Sequence, residues 1–106
     1  MEEAQKIVDD NYTAAEGSFL GDLHERDYFD FQGFSKLCEA AKSLAAEGKT
    51  LENAKKIHEI YTQTCLHVSY HFDPDDESRI SNLPKNYVEL LYELGKLVAI
   101  FFNTEL

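Results

Sequence analysis

Apolar positions recur at steps of three and four along most of the chain, which is the period of an amphipathic helix. A thin stripe comes first: Ala4, Ile7 and Val8, then Tyr12 and Ala15, ahead of Gly17. It predicts a helix over roughly residues 2–15. Residues Gly17 to Arg26 read as a loop, because two glycines and three charged residues interrupt the pattern there. A second stripe holds Phe34, Leu37, Cys38, Ala41, Leu44 and Ala45, with Asp27 as the candidate cap and Gly48 as the stop. It predicts a helix over roughly 28–47, in which Gly33 costs about 1 kcal/mol relative to Ala.

The third stripe has the clearest start. Thr50 is an N-cap candidate followed by the acidic Glu52, and Leu51, Ala54, His58, Tyr61, Cys65, Val68 and Phe72 supply the spacing. The expected helix runs over roughly 51–72 and ends before Asp73-Pro74, since the residue preceding Pro disfavours helix. From Cys65 to Phe72 polar and apolar residues also alternate, which is a strand pattern. Helix is the better reading because no other run offers a partner strand, and an isolated strand is not stable. A fourth helix is expected over roughly 84–102, opening at Pro84. Tyr87, Leu90, Leu91, Leu94, Leu97, Val98 and Phe101 form a broad face that Val88, Ile100 and Phe102 widen. So apolar a helix reads as the most buried element. The expectation is an all-α fold, a four-helix bundle or an irregular orthogonal helical packing, in a single compact domain over 1–106.

Composition adds constraints. Of 106 residues, 43% are apolar and 12% aromatic, which is too rich in apolar area for a disordered chain. The longest apolar run, Leu97 to Phe102, is far short of a membrane span. The N-terminus starts acidic and lacks the basic start and apolar stretch of a secretory signal. Two cysteines, Cys38 and Cys65, sit in apolar stripes and read as buried free thiols. A cytoplasmic chain is expected.

Candidate chemistry is sparse. His67 and His71 have the spacing of a metal pair on one helix face, with Cys65 and Asp73 flanking them. The pair lacks the Glu that a zinc protease motif needs and has no convincing third ligand, so no metal is expected. A small metal-dependent enzyme using the pair is the weakest of the readings. The Asp73–Glu77 run has the composition of a calcium loop, but the sixth and twelfth positions hold Ser78 and Pro84 instead of Gly and Glu. His58, on the expected apolar face, reads as a core histidine. There is no phosphate-binding loop and no Ser framed by glycines. The chain is read as a non-enzyme without a cofactor.

Charge is the strongest signal. Twenty acids against ten Lys plus Arg give a formal charge of −10, which argues against direct binding to a phosphate backbone. Between Asp9 and Asp30 there are seven acids and one base, interleaved with Tyr12, Phe19, Tyr28, Phe29 and Phe31. Between Asp73 and Glu77, four of five residues are acidic. Acids with aromatics are what a small protein presents to a basic partner: charge steers the encounter and aromatics supply affinity. Asp22, Glu25, Asp27, Tyr28, Asp30, Asp73, Asp75, Asp76 and Glu77 are the candidate contact residues.

In size, acidity and helical class the chain resembles bacterial immunity proteins that neutralise nuclease toxins, although no run of residues matches a family pattern. The resemblance implies a monomer or weak dimer that occludes a basic partner, without nucleic acid or membrane. The alternatives are a dimeric regulatory or adaptor domain using the last helix as its interface, and a nucleic-acid mimic of the anti-restriction or anti-CRISPR type.

Overall fold

The computed structural model describes residues 2–103. Met1 and residues 104–106, which the one-domain expectation includes, lie outside them. The described residues form five helices and no strand: α1 (Glu2–Tyr12), α2 (Phe19–Arg26), α3 (Phe31–Glu47), α4 (Leu51–Phe72) and α5 (Tyr87–Phe102). The all-α class stands. The stretch 65–72 is helical throughout, and the alternation there is incidental to the helix.

α4 is the axis of the molecule. At about 1.5 Å per residue its 22 residues extend some 33 Å, most of the 44 Å long dimension. α1, α2 and α5 all pack on it, and α3 closes the core against α1 and α5. Two of the caps read from the sequence are present: Thr50 Oγ1 accepts the Asn53 N–H at 3.1 Å, and the Gly48 N–H closes α3 on the Leu44 carbonyl. Asp27 does not cap α3, which starts at Phe31 with Asp30 at its N-cap; Asp27 is instead the C-cap of α2.

The stretch 17–26 expected as a loop contains α2, and α2 is the most inward-facing helix. Phe19, Leu20, Gly21, Asp22 and Leu23 are all buried. Eight residues are too few to hold a helix alone, so tertiary contacts must supply the stability. Two side chains satisfy its first amides. Ser18 Oγ accepts the Gly21 N–H at 3.0 Å, and the buried Asn11 Oδ1 accepts the Leu20 N–H at 2.9 Å while its Nδ2 donates to the Ile7 carbonyl. Phe19 then packs edge-on against Phe29 and Phe34, with ring centroids 5.0 and 5.2 Å away. The glycines that made the stretch look irregular have other uses. Gly17 ends the connection at φ +87°, and Gly21 lets the helix approach the Ala15 carbonyl.

Helix phases differ from expectation in two places. The buried face of α4 is Asn53, Ala54, Ile57, Ile60, Thr64 and Val68. His58 is exposed, with its ring 6.1 Å from that of Phe102, so it is no core histidine; Leu51 is exposed as well. The true stripe passes one residue earlier, through Ile57 and Ile60. It admits two polar residues because both are satisfied: Asn53 pairs reciprocally with Gln5, and the Thr64 hydroxyl donates to the Ile60 carbonyl. α5 begins at Tyr87, three residues after Pro84, and is peripheral instead of central. Only Leu94, Leu97 and Phe101 are buried in it, while Val88 and Tyr92 are about two-thirds exposed. A helix with one packed side cannot bury apolar residues all round.

Cys38 and Cys65 are free thiols, partly buried rather than enclosed. Burial pushes the Cys38 thiol up to about 11. Alkylation of Cys38 at pH 7.5 should therefore run about 100-fold slower than that of an ordinary exposed thiol, because the thiolate reacts. Mass-resolved labelling measures this, and parity with a model peptide thiol would place Cys38 in solvent.

Gly21→Ala would drive a Cβ into the Ala15 carbonyl oxygen, a backbone atom that cannot step aside. A loss of at least about 2 kcal/mol in urea unfolding is expected. Gly33→Ala meets the Asp30 carboxylate at 2.8 Å, the mobile end of a side chain. It should be neutral or stabilising by up to about 1 kcal/mol through helix propensity. Equal effects at the two sites would contradict this packing.

Candidate protein-binding surface

The two acidic stretches are remote in sequence, and the structure sews them together. Arg26 ends α2, and Asp27 takes the left-handed conformation (φ +51°) as its C-cap, a position Asp tolerates. The chain then turns through Tyr28 and buries Phe29 against Phe19 and Phe34. That link is tied to the segment after the acidic loop. The Ser81 N–H donates to the Asp27 carbonyl at 2.9 Å. The Asn82 side chain clamps Phe29 from both sides: Oδ1 accepts the Phe29 N–H at 2.7 Å, and Nδ2 donates to the Phe29 carbonyl at 2.9 Å. On the other side, His71 Nδ1 accepts the Ile80 N–H at 2.9 Å, and Ile80 is buried. Residues 73–80 are thus anchored at both ends.

Within that loop the acids shape their own backbone. Asp73 Oδ1 accepts the Asp75 N–H at 2.9 Å, and Asp76 Oδ1 accepts the Ser78 N–H at 2.7 Å. The Ser78 backbone and side chain hold the Asp76 carboxyl below the usual carboxylate range. Arg79 turns back and donates to the Asp76 and Ser78 carbonyls. Aromatic rings border the loop. His71 stands 4.8 Å from Phe72, which lies 5.4 Å from Tyr87. Along α4, His67 stands 5.3 Å from His24 of α2 and 5.9 Å from Tyr70. Desolvation, with His24 adding to it, pushes the His67 imidazole below its ordinary value, and Asp27 opposes that.

The nine candidate residues fare differently. Glu25, Asp73, Asp75 and Glu77 are exposed, and Tyr28 is 44% exposed. Asp27, Asp30 and Asp76 are partly buried. Asp30 stands at the N-cap of α3, and its side chain makes no cap hydrogen bond there. Asp22 is buried and faces Arg26 at 3.6 Å, so a partner meets Arg26 first. Of the interleaved aromatics, Phe19 and Phe29 belong to the core, and only Tyr12, Tyr28 and Phe31 remain for the surface. Residues 22–30 and 73–82 together hold eight acids and two bases, Arg26 and Arg79. Asn82, Ser81 and His71, which assemble the surface, carry no mark in the sequence: their partners lie 53, 54 and 9 residues away.

Among the described residues no group of three or more His, Cys, Asp or Glu could hold a metal ion, and no helix is long and apolar enough to cross a membrane. The described residues form a small all-α domain in which the link 27–29 is tied to residues 81 and 82. Comparison with protein-family models, with curated proteins and with solved structures finds no match.

Asn82→Ala removes a donor and an acceptor and strands the backbone groups of the Phe29 link. An equilibrium loss of about 1–3 kcal/mol is expected, with faster proteolysis within residues 73–82. Asn82→Asp keeps the acceptor for the Phe29 N–H but sets a carboxylate oxygen against the Phe29 carbonyl, so it should lose stability as well. If both variants unfold like the parent, the clamp does not hold the two segments.

Proposed function

We propose that the chain is a non-enzymatic binding protein that neutralises a basic protein partner through this acidic face. The single observation that carries the reading is the joining of the two acidic stretches, through Asn82 and Ser81, into one surface on a chain of charge −10. The mechanism is occlusion. Glu25, Asp73, Asp75 and Glu77 pair with Lys and Arg of the partner, while Tyr28 and its aromatic neighbours lose water against apolar parts of it. The most specific form is an immunity protein that covers the phosphate-binding bases of a nuclease toxin, acting in the cytoplasm. Backbone clamping supports the same reading, because a surface ordered before contact loses less entropy on binding.

A second reading has its own observation. α5 exposes Val88, Tyr92, Ile100 and Phe102, an apolar face suited to a dimeric adaptor. A concentration-independent dimer on sizing, with Tyr92→Lys converting it to monomer, favours that reading.

The test of the leading reading is capture of a partner followed by binding kinetics. Asp75→Lys and Glu77→Lys should mainly lower the on-rate, and raising salt should do the same, since fields are screened beyond about 8–10 Å at physiological ionic strength. Tyr28→Ala should raise the off-rate and cost about 2 kcal/mol or more. Affinity insensitive to all three variants and to salt would reduce the acidity to solubility.

A further inference from the structure

The acidic loop is fastened to α4 by a bond that one proton can break. His71 Nδ1 accepts the Ile80 N–H, so that nitrogen must be unprotonated. A proton there turns the acceptor into a donor facing a donor. Other titratable groups surround it, and the carboxylates among them attract a protonated imidazole and work against release. His67, one turn earlier on α4, faces His24 of α2 across 5.3 Å, with Asp27 and Tyr70 beside it. The tethered loop carries Asp73, Asp75, Asp76, Glu77 and Arg79. His24 also lies 3.7 Å from Glu25.

We propose that His71 is a pH-sensitive latch on the acidic surface: neutral His71 holds Ile80 and with it residues 73–80, and protonation of His71 removes that tie. The direction follows from the chemistry. The latched state holds the unprotonated ring and binds fewer protons than the released one, so lowering the pH favours release. Within the loop the Ser78 backbone and side chain hold the Asp76 carboxyl below the usual range. Release loosens residues 73–79 between the end of α4 and the Ser81 and Asn82 ties, which remain in place. The consequence for binding rests on the partner reading above; the latch itself does not.

The experiment uses the isolated chain. Amide hydrogen exchange is read as a protection factor, corrected for intrinsic rates, at pH 7.5 and pH 5.0. The Ile80 amide should lose at least tenfold in protection at the lower pH, while the Ile57 and Ile60 amides within α4 change little. His71→Asn sets an amide oxygen near the Nδ1 position and cannot titrate, and its Ile80 protection should be the same at both pH values. Should that variant fold poorly, nitrogen NMR of the parent chain gives a second reading: the Ile80 amide shift should titrate together with His71 Nδ1. Ile80 protection that is independent of pH, or an Ile80 amide that does not follow His71, overturns the latch. Neither outcome touches partner capture at pH 7.5, and failure to capture a partner leaves the latch measurement intact.

Discussion

Phe29 is the point on which the surface depends. Its ring is buried between Phe19 and Phe34, with centroids 5.0 and 5.6 Å away, so the link between α2 and α3 cannot lift from the core. A buried ring leaves its own amide and carbonyl needing partners, and a helix cannot provide them in a segment that is not helical. Asn82 supplies both from a segment 53 residues later. The hydrophobic anchoring of one residue and the hydrogen-bond requirement of its backbone thus decide where the second acidic stretch must lie. The charge distribution follows from that constraint. Residues 27–29 meet residues 80–82, so the segment that follows the second acidic stretch is held at the exit of α2.

The same economy of satisfied polar groups explains α2. A short helix between larger ones adds apolar contact only if its free amides are met, and Asn11 and Ser18 meet them. Asn11 is buried because it serves two backbones, the end of α1 and the start of α2. Its αL-capped exit at Asp27 aims the chain back towards the core, so that Phe29 rather than Tyr28 turns inward.

α4 and α5 show how local periodicity runs out. Apolar positions on α4 fit two phases one residue apart. Packing against α1, α2 and α5 selects the one holding Ile57 and Ile60 and leaves His58 outside. On α5, apolar residues lie on both sides of the helix, and only the side towards α3 and α4 is covered. Gly95 marks that covered side, where the Tyr61 ring of α4 lies close enough that a Cβ would sit 3.2 Å from its hydroxyl. The pattern on α5 measured hydrophobicity, whereas burial needs a neighbour.

The helical class, the starts and stops at Thr50, Gly48 and Asp73, and the gathering of acid into two stretches were determined by the sequence alone, because capping chemistry, helical period and charge are local properties. What lay beyond it were the contacts between residues far apart. That α2 is a helix, that Phe19 and Phe29 are core instead of surface, that Asp22 turns inward, and that residues 27–29 meet 80–82 were decided only by the tertiary structure. The physical reason is that each depends on which groups lose water together, and a buried ring or an unpaired amide finds its partner in space, at a separation that no local pattern records.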